Sequence, residues 1–259
     1  MPGLFIIGIL VLIVVLIVRA QQQKKKKIAA YKLPVNAKVI LEENVAFYRE
    51  LGAVEKQMFE ERLRDFLART AITGIKGVRV TDLDRLLVAS AAIIPIFSFP
   101  DWKYNNIDEV LLYKEAFDKE YRQDGDDRNI IGMVGSGAMQ GQMILSQPSL
   151  RTSFQNPEDG LNTAIHEFAH LLDKADGAVD GVPEYLLSKP YIIPWVKHMH
   201  ETIQAMKEGD SRDINLYGAS NDAEFFAVVT EYFFERPAQL QQHHPELYQL
   251  LEQMFHPVK

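Results

Sequence analysis

Five consecutive residues, His166-Glu167-Phe168-Ala169-His170, carry the strongest chemical signal in this 259-residue chain. Two imidazoles four positions apart lie one above the other on the same face of an α-helix, so both can point a ring nitrogen at a single ion. The carboxylate of Glu167 leans toward the same point without joining it. This is the spacing of a zinc hydrolase, in which one rigid helix supplies two metal ligands and a general base. With seven histidines in 259 residues, the pentamer arises by chance in roughly one or two sequences in a hundred of this composition. The plainer reading is a helix whose histidines face solvent. Ala164, Ile165, Phe168, Ala169, Leu171 and Leu172 argue against it, because they make the helix apolar almost everywhere except the His/Glu stripe. Each unpartnered polar group in such a setting costs about 1–3 kcal/mol.

The chain contains no cysteine. Disulfides, thiolate ligands and a cysteine nucleophile are therefore excluded, and a transition metal must be held by imidazole and carboxylate. A catalytic zinc site takes three protein ligands and leaves the fourth position for water, whereas a structural site normally closes all four. His198 and His200 are two apart and share no helix face, His243 and His244 precede Pro245 at an expected helix break, and His256 lies close to the C-terminus; surface roles are expected for all five. Residues 222–234 differ: they form a strongly apolar helix that carries Glu224 and Glu231 seven apart, hence on one face. Acids in such a helix are unfavourable unless paired or coordinating. Periodicity leaves the choice between these two open. Asn162, one turn before His166, and Asp173, three residues after His170, could orient ligands, because ligating imidazoles usually donate their second N–H to a carboxylate or carbonyl. Glu231 is a further candidate for that role, and Asp173 could equally end its helix or organise the loop that follows.

The elements that must position these groups read as mainly helical. Helical periodicity covers residues 35–72, with a turn at Leu51-Gly52-Ala53 dividing it into two helices. A β-branched run at 75–80 predicts a strand, and a helix starting at Asp82 or Asp84 runs to Pro95, apolar on nearly all sides and hence central. Short strands are expected at 110–113, 129–134 and 142–146. The metal-binding helix is expected over 156–173, capped by Asn156 with Pro157 in its first turn. A Gly- and Asp-rich loop at 176–181 and helices at 195–207, 222–235 and 237–255 complete an α+β pattern with a small mixed sheet.

The N-terminus is different material. Residues 4–18 are apolar apart from Gly8, and Arg19 and Lys24-Lys25-Lys26-Lys27 follow. A cleaved signal peptide carries its positive charge before the apolar run, the reverse of this order. The expectation is a transmembrane anchor at 1–20, a basic polar linker at 21–33 and a zinc metallopeptidase domain at 34–259. The lysines would place that domain on the cytoplasmic side of the inner membrane, with a single pass. At about 25 Å the apolar run is shorter than a ~30 Å hydrocarbon core, a gap that snorkelling of Arg19 or local thinning would cover. A formal charge of −7 gives no global attraction for nucleic acid.

Taken together, His166-Glu167-Phe168-Ala169-His170, Leu172-Asp173, Asp176-Gly177, Asp180-Gly181-Val182-Pro183, Tyr217 and Glu224-Phe225-Phe226-Ala227-Val228 resemble the Mlc titration factor A family of zinc-dependent peptidases. The resemblance covers the chain from about residue 35 onward. A tyrosine seven residues before the glutamate of a Glu-Phe-Phe-Ala helix is also similar to the catalytic domain of the lethal-factor toxin. The resemblance implies a gluzincin site holding one Zn2+ per chain, with Glu224 as third ligand beside His166 and His170 and Tyr217 as transition-state partner. It further implies a zincin-like fold with an edge strand for a peptide or protein substrate, placed here at 142–146. The apolar N-terminus departs from the soluble members of the family. Because that family resembles proteins that bind a transcriptional repressor, it also implies an alternative role: sequestering such a partner at the membrane, with weak or vestigial hydrolysis.

Overall fold

The computed structural model describes residues 31–115, 132–135, 139–157, 159–210 and 213–257, together with isolated positions between 12 and 30. In chain order the elements are helices α1 (Ala37–Asn44), α2 (Ala46–Glu50) and α3 (Ala53–Leu67), strand β1 (Ala71–Gly74), helix α4 (Asp82–Ile93), strands β2 (Glu109–Tyr113), β3 (Gly132–Val134) and β4 (Gln142–Ser146), and helices α5 (Gln147–Gln155), α6 (Thr163–Asp173), α7 (Lys189–Glu208), α8 (Asp222–Glu235), α9 (Pro237–His243) and α10 (Pro245–Phe255). Short 3-10 turns span Ile94–Ile96, Lys174–Asp176 and Leu216–Ala219. The α+β class, mainly helical with a small mixed sheet, is as expected.

Helix α4 is the central pillar. Thr81 starts it through a capping box in which Asp84 Oδ2 accepts from the Thr81 backbone N–H at 2.8 Å. The fully buried Asp84 also accepts from Arg151 Nε at 2.8 Å and Nη2 at 3.0 Å, which ties α4 to α5. The sheet runs β1-β2-β4-β3, with β1, β2 and β4 parallel and β3 antiparallel to β4. Val110, Leu112, Met143 and Leu145 point from one face into the main core, while Leu111, Tyr113 and Ile144 form a small cluster on the other. This alternation is the period-two signature of strands covered on both sides.

Several local expectations are corrected. The expected strand at 75–80 is not one: Lys76 and Gly77 adopt positive φ (51° and 85°), which turns the chain, and the pairing residues are the preceding four. The region 35–72 holds three helices rather than two, because Val45 and Leu51 take extended conformations. The expected helix over 156–173 is divided: α5 ends at Gln155, Gly160 sits at φ 77°, and Asn162 rather than Asn156 caps α6. Within the expected strand at 129–134 the structure describes a strand at Gly132–Val134, and 129–131 lie outside the described residues. Helix α7 begins six residues earlier than expected and carries Pro194 inside it, while the helical stretch at 237–255 is divided at His244, at the break expected ahead of Pro245. Residues 142–146 form β4, an interior strand between β2 and β3, so among the described residues the edge strand beside the site is β3. Most of the expected anchor at 1–20 lies outside the described residues, and among those described no helix is long and apolar enough to cross a membrane.

Candidate metal centre

Helices α6 and α8 pack against each other and bring the candidate ligands to one point. Asn162 starts α6 by accepting from the Ile165 N–H at 3.1 Å, which aims His166, Glu167 and His170 toward a cleft. Asn221 does the same for α8, accepting from Glu224 N–H at 3.0 Å and placing Glu224 in the first turn. The start of α8 is braced by the Gly-rich loop. Gly181 has φ 73°, and a Cβ there would come within 2.4 Å of the Asp222 carbonyl, so only glycine allows this approach. Trp195 Nε1 donates to the Gly181 carbonyl at 2.7 Å and fixes the loop from below.

His166 Nε2 lies 3.0 Å from Glu224 Oε2 and 3.2 Å from His170 Nε2, and His170 Nε2 lies 3.4 Å from Glu224 Oε2. These three residues form the one His/Asp/Glu group among the described residues that could hold a metal ion. Glu231, two turns further along α8, accepts from His166 Nδ1 at 2.7 Å and from the Asn162 N–H at 2.5 Å. A carboxylate can only accept, so Nδ1 carries the proton and Nε2 is left to face the other ligands. Glu224 and Glu231, which periodicity does not distinguish, thus take the two opposite nitrogens of one ring.

Burial alone would lower the His166 pKa, yet the hydrogen bonds to Glu224 and Glu231 dominate and push it up to about 10. Burial likewise opposes the charge on Glu224, but its hydrogen bonds to His166 and His170 bring it down to about 2. Glu167 is 6 % exposed and makes no hydrogen bond to the other site residues; burial pushes it up to about 7, with both imidazoles pulling down and Glu224 and Glu231 pushing up. Tyr217 stands on the Leu216–Ala219 turn, where Asn215 accepts from its N–H at 3.0 Å. Its ring centre is 6.1 Å from that of His166, and burial followed by the nearby Glu224 carboxylate raises its pKa.

The other histidines stay away from this point. His198 faces Glu246, His200 faces Asp222, His243 and His244 share Asp213, and His256 pairs with Glu252. Asp173 is fully buried and makes no hydrogen bond to a ligand: burial raises it to about 6, and the nearby backbone N–H groups of Gly181 and Asp180 act the other way. Two contributors escape sequence reasoning. Glu235 accepts from Asn162 Nδ2 at 3.0 Å, behind Glu231; its spacing of four from Glu231 was the available signal. Gly132 of β3 lies so close to Glu167 that a Cβ would meet Oε1 at 2.6 Å, a long-range approach with no local signature.

The sequence profile of the family described as Glucose-regulated metallo-peptidase M90 matches residues 19–256. The chain belongs to this M90 family. Its relatives include an uncharacterized protein of Synechocystis sp., 32 % identical over 234 residues that cover 86 % of this chain and 84 % of the relative. Two proteins named Mlc titration factor A are also similar: one from Pectobacterium atrosepticum, 28 % identical over 88 % of this chain and 84 % of its own, and one from Edwardsiella ictaluri, 30 % identical over 76 % and 78 %. The M90 profile spans α6 and α8 together with the turn that carries Tyr217. Membership in a metallopeptidase family and a three-residue group able to hold an ion both point to a metallopeptidase-like protein.

Proposed function

We propose that this protein is a zinc-dependent peptidase, and the observation that carries the reading is the spacing of three ligand atoms around one point. Zinc bonds of about 2.0–2.2 Å at the tetrahedral angle separate ligand atoms by about 3.3–3.5 Å. His166 Nε2, His170 Nε2 and Glu224 Oε2 stand 3.0, 3.2 and 3.4 Å apart. Two nitrogens and one oxygen are also a donor set that zinc favours, and three protein ligands leave a position open. Bound there, zinc would polarise the scissile carbonyl and acidify a water.

The remaining work falls to the chain's own side chains. Glu231, itself held by the Asn162 N–H, fixes the His166 ring. Glu167, buried and poised near neutrality, takes a proton from the attacking water and delivers it to the departing amine nitrogen. The Tyr217 hydroxyl, exposed at the cleft edge, donates to the oxygen on which charge develops; losing one such donor typically lowers the rate about 10²–10³-fold. Strand β3, with no strand on its outer side among the described residues, offers backbone groups to an extended peptide alongside Glu167. The decisive experiment pairs metal analysis with peptide cleavage. Glu167→Gln should retain stoichiometric zinc and lose turnover, and retained turnover would exclude Glu167 as the base.

The apolar residues 4–18 followed by four lysines support single-pass anchoring with the domain on the cytoplasmic side. Alkaline carbonate washing should leave the protein in the membrane pellet; its release would refute anchoring. The name shared by two relatives favours a second reading, in which the chain binds and titrates a transcriptional regulator. Regulator binding unchanged by Glu167→Gln, with no turnover in either protein, would select that reading.

A further inference from the structure

Helices α6 and α8 meet along a polar seam, and the metal centre occupies only one end of it. The contacts climb one helix as they descend the other: His170 meets Glu224, His166 meets Glu224 and Glu231, and Asn162 meets Glu231 and Glu235. At the last rung one residue is held twice by α8. The Asn162 N–H donates to Glu231 Oε2 at 2.5 Å, and its side-chain Nδ2 donates to Glu235 Oε1 at 3.0 Å. Asn162 Oδ1 accepts from the Ile165 N–H at 3.1 Å and starts α6, and the Asn162 carbonyl accepts from the His166 N–H at 2.9 Å. Every polar group of Asn162 is thus engaged.

A side-chain amide has a donor end and an acceptor end. With Nδ2 drawn to Glu235, Oδ1 is turned to the Ile165 N–H; reversed, the amide would set a donor against a donor and lose the cap. Glu235 therefore sets the orientation of the residue whose backbone N–H holds Glu231, and Glu231 holds His166 Nδ1 at 2.7 Å. The placement costs stability. Among the described residues Glu235 Oε2 is buried without a hydrogen-bond partner, and burial, followed by the Asp159 and Glu231 charges, outweighs the Asn162 hydrogen bond and raises Glu235 to about 7. An apolar side chain would suit this position better. What the acid contributes is a hold on the start of α6, one turn before the first ligand.

We propose that Glu235 is a positioning residue for the metal centre: acting through Asn162 and Glu231, it fixes the start of α6 against α8 and with it the His166 ring. The proposal rests on the zinc site of the peptidase reading, and its test needs no turnover. Two quantities are read on the full-length protein: zinc affinity by competition with a chromophoric chelator, and exchange of the His166 Nδ1 proton with water in metal-free protein by nitrogen-edited NMR. Removing an outer partner of a ligating imidazole typically weakens metal binding about 10–100-fold, and Glu235 stands one link further out. Glu235→Leu should therefore weaken zinc binding about three- to tenfold and speed the proton exchange by a similar factor. Its melting temperature at about pH 8 should stay close to wild type, because loss of the buried charge offsets the unpaired Asn162 donor. Glu235→Gln keeps an acceptor and should leave both readouts within about twofold. Asn162→Asp keeps the cap but loses the donor, and should behave like Glu235→Leu. Combined with Glu235→Gln it exchanges donor and acceptor, and both readouts should return to within about twofold of wild type. Glu235→Leu within about twofold of wild type in both readouts overturns the proposal, and so does an exchanged pair that fails to recover. Should Glu235→Leu not fold, the exchanged pair decides alone. Wild type that binds no zinc refutes the metal centre, and the proton exchange then decides the positioning role by itself.

Discussion

Replacing Gly132 by alanine tests whether the position of Glu167 matters for turnover. Gly132 lies in β3 at a φ that any residue tolerates, so the change adds a methyl group and no backbone strain. That methyl would sit 2.6 Å from Glu167 Oε1 and 2.8 Å from both Glu167 Cγ and Thr163 Cγ2. Ordinary contact begins near 3.4 Å, so the carboxylate must retreat by about 0.8 Å, or β3 must move outward by as much. Misplacing a reacting group by about 1 Å lowers rates roughly 100-fold, equivalent to about 2.7 kcal/mol of barrier. The ligands His166, His170 and Glu224 are untouched by the added atom. Overpacking should also lower stability by about 1–3 kcal/mol. The expected result is zinc content by mass spectrometry equal to wild type, a lower melting temperature and a kcat/KM reduced about 100-fold. A kcat/KM within about threefold of wild type, at full metal occupancy, would refute both the close approach and the assignment of Glu167 as the group that handles the proton.

Zinc uptake by metal-free protein should release close to one proton between about pH 7 and pH 9, because His166, pushed up to about 10, must give up its Nε2 proton, and more below about pH 7, where Glu167, pushed up to about 7, also becomes ionised. Affinity should then fall roughly tenfold for each unit of pH lowered, and calorimetry in buffers of different ionisation enthalpy would read the release directly. In the metal-free protein the same raised pKa adds stability that is complete below about pH 6.5 and is lost as pH rises through about 10. Glu235, raised by burial to about 7, acts oppositely: its penalty grows above about pH 4.5 and is complete above about pH 7. Glu235→Gln keeps an acceptor for Asn162 Nδ2 and should raise stability by about 1–2 kcal/mol at about pH 8 with little change at about pH 4, read from thermal melts. Asp84→Ala leaves Arg151 without its partner and removes the reciprocal half of the α4 capping box, and should cost about 1–3 kcal/mol in denaturant unfolding.

What was legible in the sequence follows the reach of each interaction. His166, Glu167 and His170 stand within one helical turn, so local geometry alone aligns them. Glu224 and Glu231 share a face of α8, and periodicity cannot rank them. Their difference is depth: one sits in the first turn at the cleft, the other two turns inward against Nδ1 and the Asn162 N–H. Strand positions depended on partners far along the chain. The run at 75–80 has strand composition, yet Lys76 and Gly77 turn it away, and 71–74 pair instead with β2. Residues 142–146 read correctly as a strand, but no local pattern reveals that β3 lies outside β4 and takes the edge. Gly132 is invisible for the same reason, since its importance arises only where β3 meets α6.

The charge at the centre explains why one site would alternate between a proton and a metal. Glu224, Glu231 and Glu167 bring three carboxyl groups against two imidazoles in a cleft where burial penalises every charge. Without an ion, a proton on His166, hydrogen-bonded to both Glu224 and Glu231, offsets one of these charges, and Glu167 is driven toward its neutral form. A divalent cation in place of that proton adds one positive charge at the same point and favours ionised Glu167, the form able to accept a proton. On the proposed reading, metal loading and activation of the base would be a single electrostatic event. A surface kept only to bind a partner has no use for this coupling, nor for the glycine that lets β3 approach Glu167. Both features are what the proposed proton transfer would use, and for that reason hydrolysis is the reading we propose ahead of partner binding.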